Sequence, residues 1–208
     1  MTQVKICGVN APEALRAAAE AGADWVGFVF FPPSPRALPP DQAAALSSSY
    51  PGGPARVGLF VDPADADVEA VLAAVPLAVL QVHSVSAARA QSLRARFGLP
   101  VWHAVGVEAQ ADLPASADGV DGLLLDAKAP ADADLPGGNA EAFDWSVLRG
   151  WTAPLPWLLA GGLTPDNVGE AIRTSGAPAV DVSSGVERAR GVKDPGLIRA
   201  FIEAAKRR

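Results

Sequence analysis

Eight short aliphatic blocks recur along this chain, separated by Ala- and Leu-rich stretches with helical spacing. The blocks are Val4–Val9, Trp25–Phe30, Arg56–Val61, Ala78–Val82, Val101–Val107, Gly122–Leu125, Trp157–Ala160 and Ala179–Val182. Each is bounded by Gly, Pro, Asp or Ser and is too short for a typical helix, so each reads as a buried strand. Strands that alternate with helices are parallel and joined by crossovers. Eight such units in 208 residues predict α/β architecture, a single (β/α)₈ TIM barrel spanning 1–208, near the short end of its size range. The rival is an open doubly wound sheet, which usually has fewer strands and, in its dinucleotide-binding form, a G-x-G-x-x-G after the first. Here the first strand runs into Cys7-Gly8-Val9-Asn10. No linker or composition break marks a second domain, and the nearest candidate, 127–142, reads as one Pro-, Gly- and Asp-rich loop between a strand and a helix.

Helix boundaries are written into the intervening stretches. Asn10 with Glu13 three residues on predicts a capping-box start for a helix over 10–21, which Gly22 stops. Thr164-Pro165 and Asp194-Pro195 each place a capping side chain before a proline at the first helical position. In the last helix Leu197, Ile198, Phe201, Ile202 and Ala205 form one apolar stripe, and 206–208 bring positive charge to its C-terminal end.

Composition narrows the function. The 17 basic residues are dispersed and the net charge is −6, which argues against nucleic acid or an anionic membrane as partner. One Cys excludes an intramolecular disulfide and a multi-thiolate zinc site. MTQVKICGVN lacks a basic region followed by an apolar run, and no apolar stretch is long enough to span a bilayer. The expectation is a soluble cytoplasmic protein.

A barrel of this kind carries its chemistry at the C-terminal ends of the strands and in the loops that follow. That rule selects Cys7, Arg36, His83, Asp126, Gly161-Gly162 and Asp181-Val182-Ser183-Ser184-Gly185. The glycines and hydroxyls after strands seven and eight, next to a helix start at Thr164-Pro165, have the makings of a phosphate cradle; tight turns alone are the plainer explanation. Cys7 shares a strand face with Lys5. A free Cys is usually just a small buried hydrophobe, and near its reference pKa only a few per cent is thiolate at neutral pH. A nearby cation such as Lys5 supplying about 2 kcal/mol brings that pKa to about 7. Asp126 ends the apolar run Leu123-Leu124-Leu125, where burial either demands a partner or raises its pKa into the range of an acid catalyst. Cys7 and Asp126 then form a base–acid pair at one mouth. Arg36, in Pro32-Pro33-Ser34-Pro35-Arg36, sits on a stiff loop suited to presenting a guanidinium fork to a carboxylate. His83 is placed to line the site. His103, earlier in its strand, reads as structural, and the two His complete no metal ligand set. The five Trp read as core or rim packing.

Taken in order, these pieces resemble the phosphoribosylanthranilate isomerase family of tryptophan biosynthesis. The resemblance rests on Lys5-Ile6-Cys7-Gly8, Gly27-Phe28-Val29-Phe30 with Ser34-Pro35-Arg36, Val57-Gly58-Leu59-Phe60-Val61, Gln81-Val82-His83, Leu124-Leu125-Asp126, Phe143-Asp144-Trp145, Leu159-Ala160-Gly161-Gly162-Leu163, Asp181-Val182-Ser183-Ser184-Gly185-Val186-Glu187 and Lys193-Asp194. It implies a cofactor-free Amadori rearrangement of N-(5-phosphoribosyl)anthranilate to the carboxyphenylamino-deoxyribulose phosphate. By the same resemblance Asp126 is the general acid and Cys7 the general base. Arg36 holds the anthranilate carboxylate, and Gly161, Gly162, Asp181, Ser183, Ser184 and Gly185 surround the phosphate. The expected partner is that small substrate alone, for a monomer or homodimer without metal. Two positions depart from the family pattern: His83 is followed by Ser84-Val85 where Gly and an acidic residue are usual, and the often Gly-Gly-Thr-Gly loop reads Gly137-Gly138-Asn139-Ala140. Two other readings use the same residues: another phosphosugar isomerase or epimerase on this barrel, and a catalytically silent barrel that binds a phosphorylated ligand.

Overall fold

The computed structural model describes residues 1–128 and 142–207, and in it eight parallel strands close into a barrel in sequence order. They are β1 (Gln3–Cys7), β2 (Trp25–Val29), β3 (Ala55–Val61), β4 (Val79–His83), β5 (Val101–Val107), β6 (Gly122–Ala127), β7 (Trp157–Leu159) and β8 (Ala179–Val182). The predicted blocks match these to within a residue or two at each end. The α-helices are α1 (Pro12–Glu20), α2 (Pro40–Ser48), α3 (Asp65–Ala74), α4 (Ala87–Phe97), α5 (Val168–Ser175) and α6 (Pro195–Lys206). The loop predicted over 127–142, with Gly137-Gly138-Asn139-Ala140, lies almost wholly outside the described residues.

Two of the expected crossovers are not α-helices among the described residues. Between β5 and β6 the chain makes one 3₁₀ turn, Gln110–Asp112, and before β7 another, Trp145–Leu148. The first segment offers only Leu113 and Val120 as large apolar residues and is cut by Pro114, so it has no stripe to lay against the sheet. After β8 come a 3₁₀ turn, Ser184–Val186, and a small antiparallel pair, β9 (Glu187–Ala189) and β10 (Val192–Lys193). That hairpin was not anticipated, because Glu-Arg-Ala-Arg-Gly carries no apolar alternation.

Helix starts follow the predicted chemistry in part. Asp194 caps α6, its Oδ1 accepting from Gly196 N at 2.7 Å and Leu197 N at 3.1 Å. The start predicted at Thr164-Pro165 falls three residues early: α5 begins at Val168 after Asn167, which makes no side-chain cap, because Thr164 and Asn167 exchange hydrogen bonds in a preceding turn, Thr164 N donating to Asn167 Oδ1 at 2.8 Å. The Asn10 capping box does not form. The residue before α1 is Ala11, without a side-chain cap, and the Asn10 amide instead donates to Gly191 O at 2.9 Å. On α6, Ile198, Phe201, Ile202 and Ala205 are buried as the stripe requires, and Lys206 reaches the Gly22 carbonyl.

Apolar surface is buried in two layers. The larger core lies between the sheet and the helices, and a smaller cluster of Val57, Val79, Trp102, Leu158 and Ala179, with Trp25 packed against it, fills the barrel floor. Trp25 and Trp102 meet edge-to-face there, ring centroids 5.1 Å apart, and Trp151 and Trp157 do likewise at 5.5 Å outside it. With the lower barrel packed solid, only the upper end is left for polar groups.

Candidate active site

Parallel register sets which side chains share the barrel interior. Lys5 lies level with Asp181 on β8 and with Trp25 on β2, and Cys7 lies level with Gly27. Lys5 and Cys7 therefore point inward together, as their spacing predicted. Above the Trp floor opens a cleft of about 520 Å³, mouth included, lined among others by Cys7, Arg36, Gln81, His83, Asp126, Asp181 and Ser183. Cys7, Asp126, Arg36 and His83, chosen from sequence as strand-end residues, thus converge on one cavity.

Lys5 is fully buried. Its ammonium donates to Asp181 Oδ1 at 2.8 Å, and burial, which alone would lower its pKa, is outweighed by the charges of Asp181 and Cys7, so its pKa is raised. The Asp181 carboxylate is thereby committed to Lys5 inside the barrel. This pairing differs from the place beside the phosphate expected for that residue, where its charge would repel the anion. The expectation for Cys7 is corrected. Lys5 does stand beside the thiol and lowers its pKa, but burial is the larger effect, Asp181 adds to it, and the net shift is upward. Asp126 behaves as foreseen: burial first, then the charge of Asp181, pushes its carboxyl up to about 7 despite the Ala127 N–H and Lys5. A carboxyl with that pKa holds its proton in about half the molecules at neutral pH.

Arg36 is not a solvated loop residue. It is buried, and Nε and Nη2 grip Glu187 at 2.6 and 3.0 Å, a bidentate pair. Glu187 also accepts from Lys193 Nζ at 2.8 Å and from Gly191 N at 3.0 Å. Burial opposes its ionisation, but Arg36 and Lys193 together bring its carboxyl down to about 2. Two cations share one anion, so the mouth keeps one positive charge in excess. Arg36 Nη1 donates to no other described residue. Gly8 matters here: at φ 71°, a Cβ on it would lie 2.6 Å from Arg36 Cδ, so the Cys7-Gly8 pair both ends β1 and makes room for the guanidinium.

The two glycine loops come together beside this cleft. Gly161 has φ 85°, and a Cβ there would strike Ala127 N at 2.6 Å and stand 3.0 Å from Asp126 Oδ1. Gly185 is pressed against the Leu163 carbonyl, which brings the loop after β7 onto the loop after β8. Gly161 and Gly162 donate no backbone hydrogen bond to a described residue, and Ser184–Val186 form a 3₁₀ turn. Ser183 is tied in by its Oγ, which donates to Cys7 O at 3.3 Å and meets Lys193 Nζ at 3.2 Å.

The match to known proteins covers almost the whole chain. The model of the N-(5′-phosphoribosyl)anthranilate (PRA) isomerase family matches residues 4–204. The chain belongs to this PRA isomerase family. A relative from Granulibacter bethesdensis, named N-(5′-phosphoribosyl)anthranilate isomerase, is 54% identical over 206 residues, 99% of both chains. Among solved structures, dimeric phosphoribosylanthranilate isomerase from Thermotoga maritima, crystallised as generated monomers, superposes with TM-score 0.84 at 36% identity over 99% of both chains. A phosphoribosyl anthranilate isomerase in complex with reduced 1-(o-carboxyphenylamino)-1-deoxyribulose 5-phosphate does so with TM-score 0.84 at 35% identity, again over 99% of both. These are isomerases of tryptophan biosynthesis on TIM barrels, and so is this chain. No helix among the described residues is long and apolar enough to cross a membrane, and no three metal-ligating side chains cluster among them.

Against this PRA isomerase frame, the sequence reading missed three polar residues. Glu187 and Lys193 appeared only as motif letters, yet they hold Arg36; the signal was an acid directly after the strand-eight glycine loop, facing an Arg with no other partner. Gln81 lies two residues before His83 on β4, hence on the same inward face. Its Nε2 meets His83 Nε2 at 2.9 Å, while its buried Oε1 has no partner. Burial first, then the charges of Lys5 and His103, bring His83 down to about 3, so it lines the cleft as a neutral ring. His103, read from sequence as structural, has its Nε2 3.1 Å from Val85 O. The departure at Ser84 has a local cost: its φ is 56°, a left-handed conformation where the family's usual Gly is free of strain.

Proposed function

We propose that the chain, as one barrel domain over 1–208, converts N-(5-phosphoribosyl)anthranilate to 1-(2-carboxyphenylamino)-1-deoxyribulose 5-phosphate by general acid–base catalysis without a cofactor. The observation that carries this reading is the convergence of a carboxyl poised near neutrality, Asp126, with the sole thiol, Cys7, on one cleft whose rim holds an oriented guanidinium. The rearrangement needs a proton delivered to one oxygen and removed from a neighbouring carbon, with no external electrons. Asp126 donates to the furanose ring oxygen; the C1′–O bond breaks and the nitrogen lone pair forms an iminium. Cys7, as thiolate, takes the C2′ proton; the C2′–H pair closes an enolamine, which tautomerises to the ketone. Arg36, held flat by Glu187, offers its free edge to the anthranilate carboxylate, and the excess positive charge of the Arg36–Glu187–Lys193 group matches that anion. Amides of Gly161, Gly162, Ser184 and Gly185, with the Ser183 hydroxyl, receive the phosphate. A dry cleft strengthens each of these contacts.

Conversion of freshly generated substrate is followed by loss of anthranilate-type fluorescence. Cys7→Ala and Asp126→Asn are each expected to cost about 10²–10⁴ in kcat, the usual worth of a positioned acid or base. Turnover by either variant at the parent rate removes that residue from the mechanism, and absence of turnover by the parent protein removes the reading altogether.

A further inference from the structure

Below the groups assigned above lies a charge pair with no part in that reading. Lys5 is fully buried and Asp181 nearly so, and they are joined at 2.8 Å. Such a pair is poor evidence of stabilisation, since well-packed apolar residues in its place are often neutral or better. The layer directly beneath, Trp25 and Trp102 with Val57 and Val79, shows that this barrel fills its interior with apolar side chains where nothing else is asked of it. The pair's surroundings supply another account. A Cβ on Gly27 would stand 3.0 Å from Cys7 Sγ and 3.3 Å from Lys5 Nζ, so sulfur and ammonium flank the same spot. On its other side, Asp181 lines the cleft together with Asp126.

We propose that Lys5 and Asp181 act as a positioning unit for proton transfer: the ammonium receives the charge that forms on the Cys7 sulfur, while the Asp181 carboxylate keeps the facing Asp126 in its acid form. This rests on the roles given to Cys7 and Asp126. Thiol with carboxylate, and thiolate with carboxylic acid, carry the same number of protons and differ only in where one of them sits. Their ratio is therefore set by the surrounding fixed charges and not by pH between the two titrations. Only the second form can start the forward reaction. Lys5 favours it from the sulfur side and Asp181 from the carboxyl side. The other charged or titratable groups facing Cys7 are Lys193 from β10, Arg36 from the loop after β2, and His83 from β4. Lys193 and Arg36 share Glu187, which leaves one positive charge in excess, and Lys193 lowers the Cys7 pKa in the same direction as Lys5 but less; His83 is neutral. The larger influence of the pair has the required direction at each site: Lys5 lowers the Cys7 pKa more than Asp181 raises it, and Asp181 raises that of Asp126 more than Lys5 lowers it.

The test compares the parent with Asp181→Asn and with the double variant Lys5→Met/Asp181→Asn, which leaves no unpaired charge in the barrel; thermal melting shows that each is folded. Substrate-free Cys7 is titrated by the ultraviolet absorbance of its thiolate and by the pH dependence of iodoacetamide alkylation, and kcat and KM are measured alongside. In the double variant the thiolate midpoint is expected to rise by about one unit or more, alkylation at fixed pH and kcat each falling at least about tenfold, with KM nearly unchanged. In Asp181→Asn the acidic limb of the kcat/KM profile moves to lower pH as Asp126 loses its repulsive neighbour. An unmoved Cys7 midpoint in the folded double variant overturns the unit itself. A moved midpoint with kcat unchanged overturns the base assignment beneath it.

Discussion

Replacing Glu187 by Gln removes the anion that two buried cations share while leaving the side chain's size almost unchanged. In the folded protein Arg36 and Lys193 bring the Glu187 carboxyl to about 2 from an ordinary 4.5, which corresponds to about 3 kcal/mol of favourable interaction. Its side chain is only 4% exposed, so little of this is lost to solvent screening. Breaking one member of a buried ion pair costs about 3–5 kcal/mol, because the remaining charges stay desolvated. For a chain of this length each kcal/mol moves the melting temperature by about 2–4 °C, so Glu187→Gln is expected to melt about 6–20 °C below the parent. The pH dependence carries the same signature. The folded carboxyl binds its proton less tightly than the unfolded one, so its contribution is complete above pH 4.5 and disappears as pH falls toward 2. That part of the parent's acid destabilisation should be missing from the variant. Arg36, no longer held in a fork, should bind the substrate carboxylate less well, raising KM more than it lowers kcat. Melting followed by circular dichroism across this pH range, with fluorescence kinetics near neutrality, tests all three. A variant that melts within about 2 °C of the parent, with the same acid profile and the same KM, refutes the reasoning.

Two more expectations concern backbone geometry. Ser84→Gly, relieving a residue at φ 56°, should stabilise the protein by about 1 kcal/mol and raise its melting point by about 2–4 °C without changing kcat; a fall in melting point would show that the Ser84 side chain matters more than its backbone. Gly161→Ala must place a Cβ 2.6 Å from Ala127 N at φ 85°, so it should displace the end of β6 and lower kcat/KM by at least about tenfold. Parent-like kinetics would mean that the loop after β7 does not position Asp126.

The eight blocks were legible because a barrel strand is a continuous apolar run with sharp ends, and parallel strands buried on both faces leave little else for the sequence to say. The same logic put Cys7, Asp126, Arg36 and His83 around one cleft, since strand-end position is readable wherever the strand is. Partnership was not. Asp181 looked like a member of the phosphate group because it shares a strand face with Ser183 two residues on, and only the closing of β8 onto β1 brings it to Lys5. Cys7 was expected to gain a lowered pKa from Lys5, a judgement that counts one cation and cannot count the depth of burial. Glu187 and Lys193 lie in a polar hairpin whose pairing has no apolar signature, so their grip on Arg36 appears only in three dimensions. The 3₁₀ turn that stands between β5 and β6 in place of a helix shows the converse error, an expectation of regularity applied to a segment without an apolar stripe.

Four of the contacts that assemble the mouth join the first forty residues to the last thirty. Lys5 meets Asp181 and Ser183 meets Cys7 across 176 positions, Arg36 meets Glu187 across 151, and Asn10 meets Gly191 across 181. A nascent chain emerges N-terminus first, so Lys5 has no counter-charge until β8 has been synthesised, and β1 cannot be drawn into a dry interior before then. The seam between β1 and β8 therefore closes late, and it closes on the groups to which the proposed reaction gives its proton transfers. A chain interrupted before residue 181 would be inactive for a simple reason: the step that completes its folding is the same step that builds its active site.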